Sequence, residues 1–416
     1  MKFSQKHKEF FTLTAFCLFV FAFNLLYEYL CFIDFKENKH KLLENALVLQ
    51  SYNKTNEKGR TYGVLKLQYK NFNFYTTSKK DNNISRYELL NLRVINSSVN
   101  FKDFLSKNFY MPSYDLNTST NTYKQNPIIT YFLKQHKDEK IKEFYGALFF
   151  ALPVSLELRT DVNYYGIAHL IAISGYHIGL IFSFLFFILY PFYSFLQKRY
   201  FPYRNLRLDI SVLIFIFLFC YAYLIGFVPS FIRSLVMALF AFYLLLKNIR
   251  LLNYSTLFFS ILICIALFPQ LLFSVGFFFS IFGVFFIFLY MNHFSKFFSN
   301  FTNVVLLNLW TFFAMIVPVL YFFPLISLQQ LLCIPLSVLF VVFYPLVLCL
   351  HILNFGYILD GLLLDFFSIK FYAKNISINF YIFISYVCLS LLSIRFIYLA
   401  FFVVLANVIP FILLYI

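Results

Sequence analysis

The sequence predicts an α-helical polytopic membrane protein with about ten transmembrane helices and one small all-β domain outside the lipid. Three observations carry this. Hydrophobic residues make up 61% of the 416-residue chain and charged residues 12%, with a mean hydropathy of +0.75. No soluble fold of this length has a core large enough to hide so much apolar surface. Long apolar runs recur along the chain, and one polar stretch, roughly 36–125, interrupts them near the N-terminus.

The first run, roughly 10–33, exceeds the ~20 residues needed to cross a bilayer and follows Lys2, Lys6 and Lys8, so residues 1–35 are expected to cross with the N-terminus in the cytoplasm. A cleaved signal peptide is the competing reading, but the run is long for one and no small-residue cleavage site follows. Residues 36–125 contain short alternations: Asn45-Ala-Leu-Val-Leu-Gln-Ser51, Tyr62-Gly-Val-Leu-Lys-Leu-Gln-Tyr69, Phe72-Asn-Phe-Tyr75 and Leu90-Asn-Leu-Arg-Val-Ile95. These read as strands separated by Asn/Lys/Gly turns. A segment of this size with four or five strands suits a small OB-like barrel, with Gly63 marking a bulge or coil, or else a plain β-sandwich.

Residues 126–165 change to a helical period in which Phe132, Ile141, Phe144 and Leu148 are spaced by Lys and Glu, as in an amphipathic interfacial helix and its linker. The multi-pass domain follows at 166–416, with apolar runs near 167–196, 208–226, 231–246, 253–268, 271–291, 303–322, 325–350, 376–394 and 396–416. Lys198, Arg199, Arg204 and Arg207 fall in one loop, and Lys247 with Arg250 two runs later. Both loops are cytoplasmic if residue 167 starts outside. The segment 351–372 reads as a span or as an interfacial helix, because Asp360 and Asp365 interrupt its apolar face.

The formal net charge is +16, and from Gly166 onward only Asp209, Asp360 and Asp365 oppose eleven Lys or Arg. A path through such a membrane part favours anions, although the positive-inside rule also loads loops with cations. The seven cysteines lie in or beside apolar runs, so a disulfide framework is not expected. No C-x-x-C or H-E-x-x-H pattern and no nucleotide-binding loop occur; no metal, no cofactor and no enzymatic activity are expected.

Two membrane segments are rich in polar groups. Gly166-Ile-Ala-His-Leu-Ile-Ala-Ile-Ser-Gly-Tyr-His-Ile-Gly-Leu180 places His169, Ser174 and His177 beside Gly175 in an apolar run. On an unbroken helix the two imidazoles are about 12 Å and roughly 80° apart, so both can face one groove, though Gly175 can also break the helix. Gly226-Phe-Val-Pro-Ser-Phe-Ile-Arg233 is a broken stretch in which Ser230 can cap a new helix and Arg233 sits in its first turn. Each has a plain reading too: interhelical hydrogen bonding with small residues for the first, an arginine extended to the interface for the second.

These two stretches, in this order, resemble the signature of the ComEC family of competence DNA-uptake channels. Leu267-Phe-Pro-Gln270 with Val275-Gly276-Phe277 and Ser280 is similar to later family landmarks, as is Leu331-Leu-Cys-Ile-Pro335-Leu. The resemblance covers about 146–350, and more weakly Phe101-Lys-Asp-Phe104-Leu-Ser-Lys-Asn-Phe-Tyr110 at the end of the outer domain. Departures are the single span before the outer domain, Tyr176 in place of a smaller apolar residue, and Phe150-Ala-Leu-Pro-Val-Ser155 without a Gly-Asp pair. Long relatives add a metallo-β-lactamase-like domain; no H-x-H-x-D-H motif occurs here, so a short form relying on a separate nuclease is expected.

The resemblance implies a cytoplasmic-membrane channel that passes single-stranded DNA inward, served by an extracytoplasmic DNA receptor and a cytoplasmic DNA translocase. The expected DNA path is His169, Ser174, Gly175, His177, Gly226, Ser230 and Arg233. Lys66, Lys70, Lys79, Lys80, Arg86 and Arg93 of the outer domain are expected to attract phosphates, with Tyr69 and Phe74 stacking bases. A secondary transporter or channel for a small anionic solute is the alternative. A polytopic enzyme on lipid-linked substrates is a third reading, thinly supplied with acids.

Overall fold

The computed structural model describes residues 2–56, 59–78, 84–119, 121, 123, 125–249 and 251–414, with side chains from Phe10 onward. Contacts divide the chain into two compact units: Met1–Gln125 with Phe258–Phe277, and Asn126–Leu257 with Phe278–Ile416.

In the first unit, helix α1 (Lys2–Lys36) leads into strand β1 (His40–Thr55), followed by β2 (Thr61–Tyr69), β3 (Phe72–Ser78) and β4 (Leu89–Ile95). Helix α2 (Phe101–Ser106) precedes β5 (Asn108–Tyr110) and β6 (Ser113–Thr118). The sheet order is β5-β3-β2-β1-β4-β6. Strand β5 pairs in parallel with β3, and two residues later β6 pairs antiparallel with β4. One short run of chain therefore bridges both edges of the sheet. Met111 N donates to Tyr75 O and Ile95 N to Pro112 O, each at 2.9 Å, so little edge remains to pair with another chain.

Period-2 alternation sends Leu43, Val48, Leu65, Leu67, Phe74, Leu90, Leu92 and Val94 inward, where Phe35, Phe104 and Phe109 pack against them. Irregular register falls in β1, between Leu43 and Ala46 and between Val48 and Gln50, not at Gly63. Gly63 pairs regularly with Asn53 and Ser78. Asn45, at φ 58°, takes a left-handed conformation within the first of these irregularities.

Helix α1 is tied to this sheet at its end. Asn96 Nδ2 donates to Phe35 O and Asn38 O, and Lys36 Nζ to Asn96 O and Ser97 O. The segment Phe258–Phe277, expected within the multi-pass domain, belongs to this unit instead. Asn24 Nδ2 donates to Ala266 O at 2.7 Å, and Phe10 packs against Phe258 and Phe259. An isolated apolar helix gains by taking a neighbour, and Asn24 finds the carbonyl that its amide needs in lipid.

The second unit opens with three short helices where one amphipathic helix is expected: α3 (Pro127–Leu133), α4 (Glu139–Phe150) and α5 (Leu156–Tyr164). Asp138 caps α4 and Ser155 caps α5. Capping residues inside the helical period divide it, because their side chains satisfy the amide groups that a new helix leaves open. Ile141 and every α4 residue from Phe144 to Phe150 are buried, so this segment is core rather than surface. Asp161, fully buried on α5, lies 2.5 Å from Lys140 Nζ and 2.7 Å from Lys370 Nζ. Burial pushes its carboxyl up, but the hydrogen bonds from Lys140 and Lys370 outweigh this and hold it below the ordinary value.

There follow α6 (Ala168–Ile171), α7 (Gly175–Tyr200), α8 (Leu206–Leu224), α9 (Pro229–Leu246), α10 (Tyr254–Leu267), α11 (Val275–His293), α12 (Asn300–Phe322) and α13 (Cys333–Ile352). Short α14 (Asp360–Ser368) precedes α15 (Phe380–Leu392), α16 (Ile397–Ala406) and α17 (Ile409–Ile412). Strands β7 (Leu325–Ser327) and β8 (Ala373–Asn375) pair antiparallel.

Among the described residues, seven helices are long and apolar enough to cross a membrane, against the expected ten or so. Apolar segments 254–267, 380–392 and 397–412 are shorter. Fourteen residues of helix rise only about 21 Å, less than the ~30 Å hydrocarbon core. The large side chains left outside the fold, such as Phe187 at 79% exposure and Phe301 at 81%, find a favourable solvent only in lipid. The segment 351–372 forms a 3-10 turn and α14 rather than a span.

Candidate functional site

The site is built where two helices begin. The expected continuous run from residue 167 breaks at 172–174: α6 ends, and α7 starts at Gly175 with Ser174 in the capping position. Ser174 N donates to His177 Nδ1 at 3.3 Å, and Ser174 Oγ lies 3.3 Å from the same nitrogen. This reciprocal cap needs a residue three positions into the helix that reaches back, which the Ser-x-x-His spacing provides. His177 is fully buried, its ring edge-on to Phe340 at 5.3 Å and Tyr344 at 5.1 Å. Its Nε2 has no hydrogen-bond partner among the described residues.

Helix α8 ends in a turn closed by Phe227 N donating to Ala222 O at 2.8 Å, with Gly226 at φ 73°. Glycine carries no side-chain cost in that region of backbone space, which is how the turn can reverse tightly enough for α9 to pack back on its neighbours. Val228 takes the cap position of α9 and Pro229 its first turn, so Ser230 lies inside the helix rather than capping it. The carbonyl of Ser230 accepts from Ser234 Oγ at 2.9 Å. Arg233 is 5% exposed, which places it within the unit and not extended along its surface.

The two stretches meet. A Cβ built on Gly175 would stand 3.7 Å from Ser234 Oγ and 3.8 Å from Ser234 Cβ, ordinary contact distances. The start of α7 therefore lies against the first turns of α9. Helix α13 supplies a third wall: Tyr176 OH donates to Ser337 O at 2.9 Å, and Cys333 Sγ lies 3.8 Å from both His169 Nε2 and Ser337 Oγ. His169 itself is exposed on α6, so the break in the helix gives the two histidines different surroundings. Gly226 is exposed in the turn after α8, while Ser174 and Ser230 are half-buried.

Sequence reasoning missed Cys333, Ser337 and Tyr344. Their spacing on one face of α13 is visible, but nothing in an apolar run says which face meets α7. It also missed two clusters outside this site: Asp161 between its lysines, and His136 with His351 and Asp360, both more than two hundred residues further along the chain than His136.

On the outer sheet, Lys66 Nζ stands 5.5 Å over the Tyr75 ring, and Lys70 Nζ 5.6 Å over Tyr69. Arg86 Nε donates to Leu49 O at 3.2 Å and lies 5.1 Å from the Tyr87 ring, and Arg93 is 3.9 Å from Asp115. Lys79 and Lys80 lie outside the described residues. Phe74, expected to be an exposed stacking ring, is fully buried in the sheet core, because its position alternates with outward Tyr75. The outward rings are Tyr75 and its register partner Tyr110, which is 51% exposed.

Apolar helices that cross a bilayer, with buried polar groups gathered where two of them begin, define a multi-pass membrane protein. A family model described as Competence protein matches residues 153–416, and the chain belongs to that ComEC-like family. Membership ties it to DNA uptake in competence. No curated protein and no solved structure matches the chain.

Proposed function

We propose that this protein is the cytoplasmic-membrane channel through which single-stranded DNA enters the cell during natural transformation, a transport role and not an enzymatic one. The carrying observation is the approach of the start of α7, which carries buried His177 against Tyr344 of α13, to the first turns of α9, which carry buried Arg233 and Ser234. Neutral imidazole, hydroxyl and guanidinium groups bond phosphates, and an acid at the same place would repel them. Of the three acids after Gly166, Asp209 is engaged by Arg204 at 2.8 Å and Asp360 by His136 at 2.9 Å.

In this reading α1 crosses from the cytoplasm, and the sheet domain, with the strand order of an OB-like barrel, lies outside. Lys66, Tyr75 and Tyr110 give it a basic and aromatic face for a single strand. An extracytoplasmic receptor delivers the DNA, a cytoplasmic translocase draws it in, and a separate nuclease removes the complementary strand.

The test is uptake of labelled DNA and transformant yield in His177→Ala and Arg233→Ala strains with protein levels verified. Both fall to background if these groups line the path. Unchanged uptake in both variants rejects this lining. Normal transformation in a deletion strain would instead favour the reading as a transporter of a small anion, which the same buried arginine can serve.

A further inference from the structure

The second unit contains a buried polar cluster that the proposed transport path does not use. His136, in the turn between α3 and α4, places Nδ1 2.9 Å and 3.0 Å from the two carboxylate oxygens of Asp360 at the start of α14. Its Nε2 lies 3.0 Å from Nε2 of His351 near the end of α13, and His351 Nδ1 lies 2.7 Å from Val347 O. His136 is 3% exposed and His351 fully buried. The ring nitrogens are therefore shut off from water, and their protons must satisfy these bonds internally.

The proton count follows from the acceptors. A carbonyl oxygen only accepts, so His351 Nδ1 carries a hydrogen toward Val347 O. One hydrogen must lie between the two Nε2 atoms, since otherwise two lone pairs would face each other at 3.0 Å. One more must lie between His136 Nδ1 and Asp360, for the same reason. The geometry thus closes only with three protons, one more than two neutral imidazoles and a carboxylate hold together. The third proton can reside on Asp360 or on either ring.

We propose that His136, His351 and Asp360 form a proton-dependent latch that joins the α3–α4 turn to the α13–α14 turn when three protons are bound and releases it when one is lost. Neighbouring bonds join the same two turns: Gln135 Nε2 donates to His351 O at 2.9 Å, Gly356 N to Gln135 Oε1 at 2.8 Å, and Tyr131 OH to Ile352 O at 3.2 Å. The groups facing the cluster are Asp138 and Lys142 from the α3–α4 side and Tyr145 of α4, whose ring stacks on His136 at 4.5 Å.

The electrostatics agree with the third proton residing on Asp360. Burial, with Lys142 adding to it, pushes His136 down to about 4. Burial pushes Asp360 up to about 6, His351 opposing and Asp138 adding. Burial also raises the Tyr145 hydroxyl, so it stays protonated throughout. Because the folded carboxyl lies above its ordinary value of 3.8, the latch contributes fully below that value and is lost as pH rises through about 6.

Hydrogen–deuterium exchange of the purified full chain in detergent, corrected for the intrinsic pH dependence of exchange, reads the latch through peptides covering 127–150. Protection there is expected to fall by about tenfold or more between pH 5 and pH 8, since each unit across the transition changes the protonated fraction about tenfold. Asp360→Asn supplies a permanent donor to His136 Nδ1 and should hold the protection at both pH values, whereas His351→Phe should lose it at both. Equal wild-type protection at pH 5 and pH 8 overturns the proposal, as does an Asp360→Asn protein that keeps the wild-type pH response.

Discussion

Asp161 is fully buried between Lys140 and Lys370. Asp161→Ala strands two cations, but Lys370 is 46% exposed and can return to water, so the expected loss is about 3 kcal/mol, the low end for breaking a buried pair. The thermal midpoint in detergent measures it, and an unchanged midpoint would refute the role. The sign with pH is fixed by the lowered carboxyl: its contribution is present above the ordinary carboxylate value and lost as pH falls through the lowered one. None of this was legible in the sequence. An Asp in a Leu-Arg-Thr-Asp-Val stretch reads as a solvated helix face, and its partner Lys370 lies far along the chain.

Among the helices, α7 approaches α9 where Gly175 faces Ser234. Alanine at position 175 meets Ser234 at ordinary contact distance, whereas a leucine must displace α9. Gly175→Ala should leave DNA uptake near normal, and Gly175→Leu should lower it by about fivefold or more, the low end of what overpacking by 1–3 kcal/mol does to a population. Equal uptake by the two variants at equal protein level would show that this approach does not matter. Here the sequence was partly legible. The polar residues of the two stretches and a helix start close to Pro229 were visible, though with Ser230 and not Val228 at the cap, as was the capacity of Gly175 to break a helix. The third wall on α13 was not, because every face of that run is apolar and only packing chooses one.

At the scale of the whole molecule, the DNA reading predicts salt-dependent binding. The full chain in detergent should bind a fluorescent single-stranded oligonucleotide with an affinity that falls as salt rises. Lys66→Ala should reduce the logarithmic slope by about 0.7 if it neutralises one phosphate. Tyr110→Ala should weaken binding by about 1 kcal/mol or more, the loss of one stacked base, with little change in slope. Absence of binding at low salt would remove the outer sheet from the proposed path. Four of the six strands of this sheet were readable from alternation, Phe72-Asn-Phe-Tyr75 as β3 among them, whereas the short β5 and β6 were not. Which of Phe74 and Tyr75 faces out was not, since both are aromatic and the pattern has two registers.

Composition and periodicity alone determined that this is a multi-pass membrane protein with a small sheet domain near its N-terminus. Mean hydropathy and a period of two are local properties, summed over neighbours in the chain. Only the tertiary structure decided that Phe258–Phe277 packs with α1, that helix α6 stops before α7, and that His136 meets His351 and Asp360. Those outcomes depend on contacts between residues far apart in sequence, where apolar surface is interchangeable and a few polar groups must find each other to be satisfied away from water.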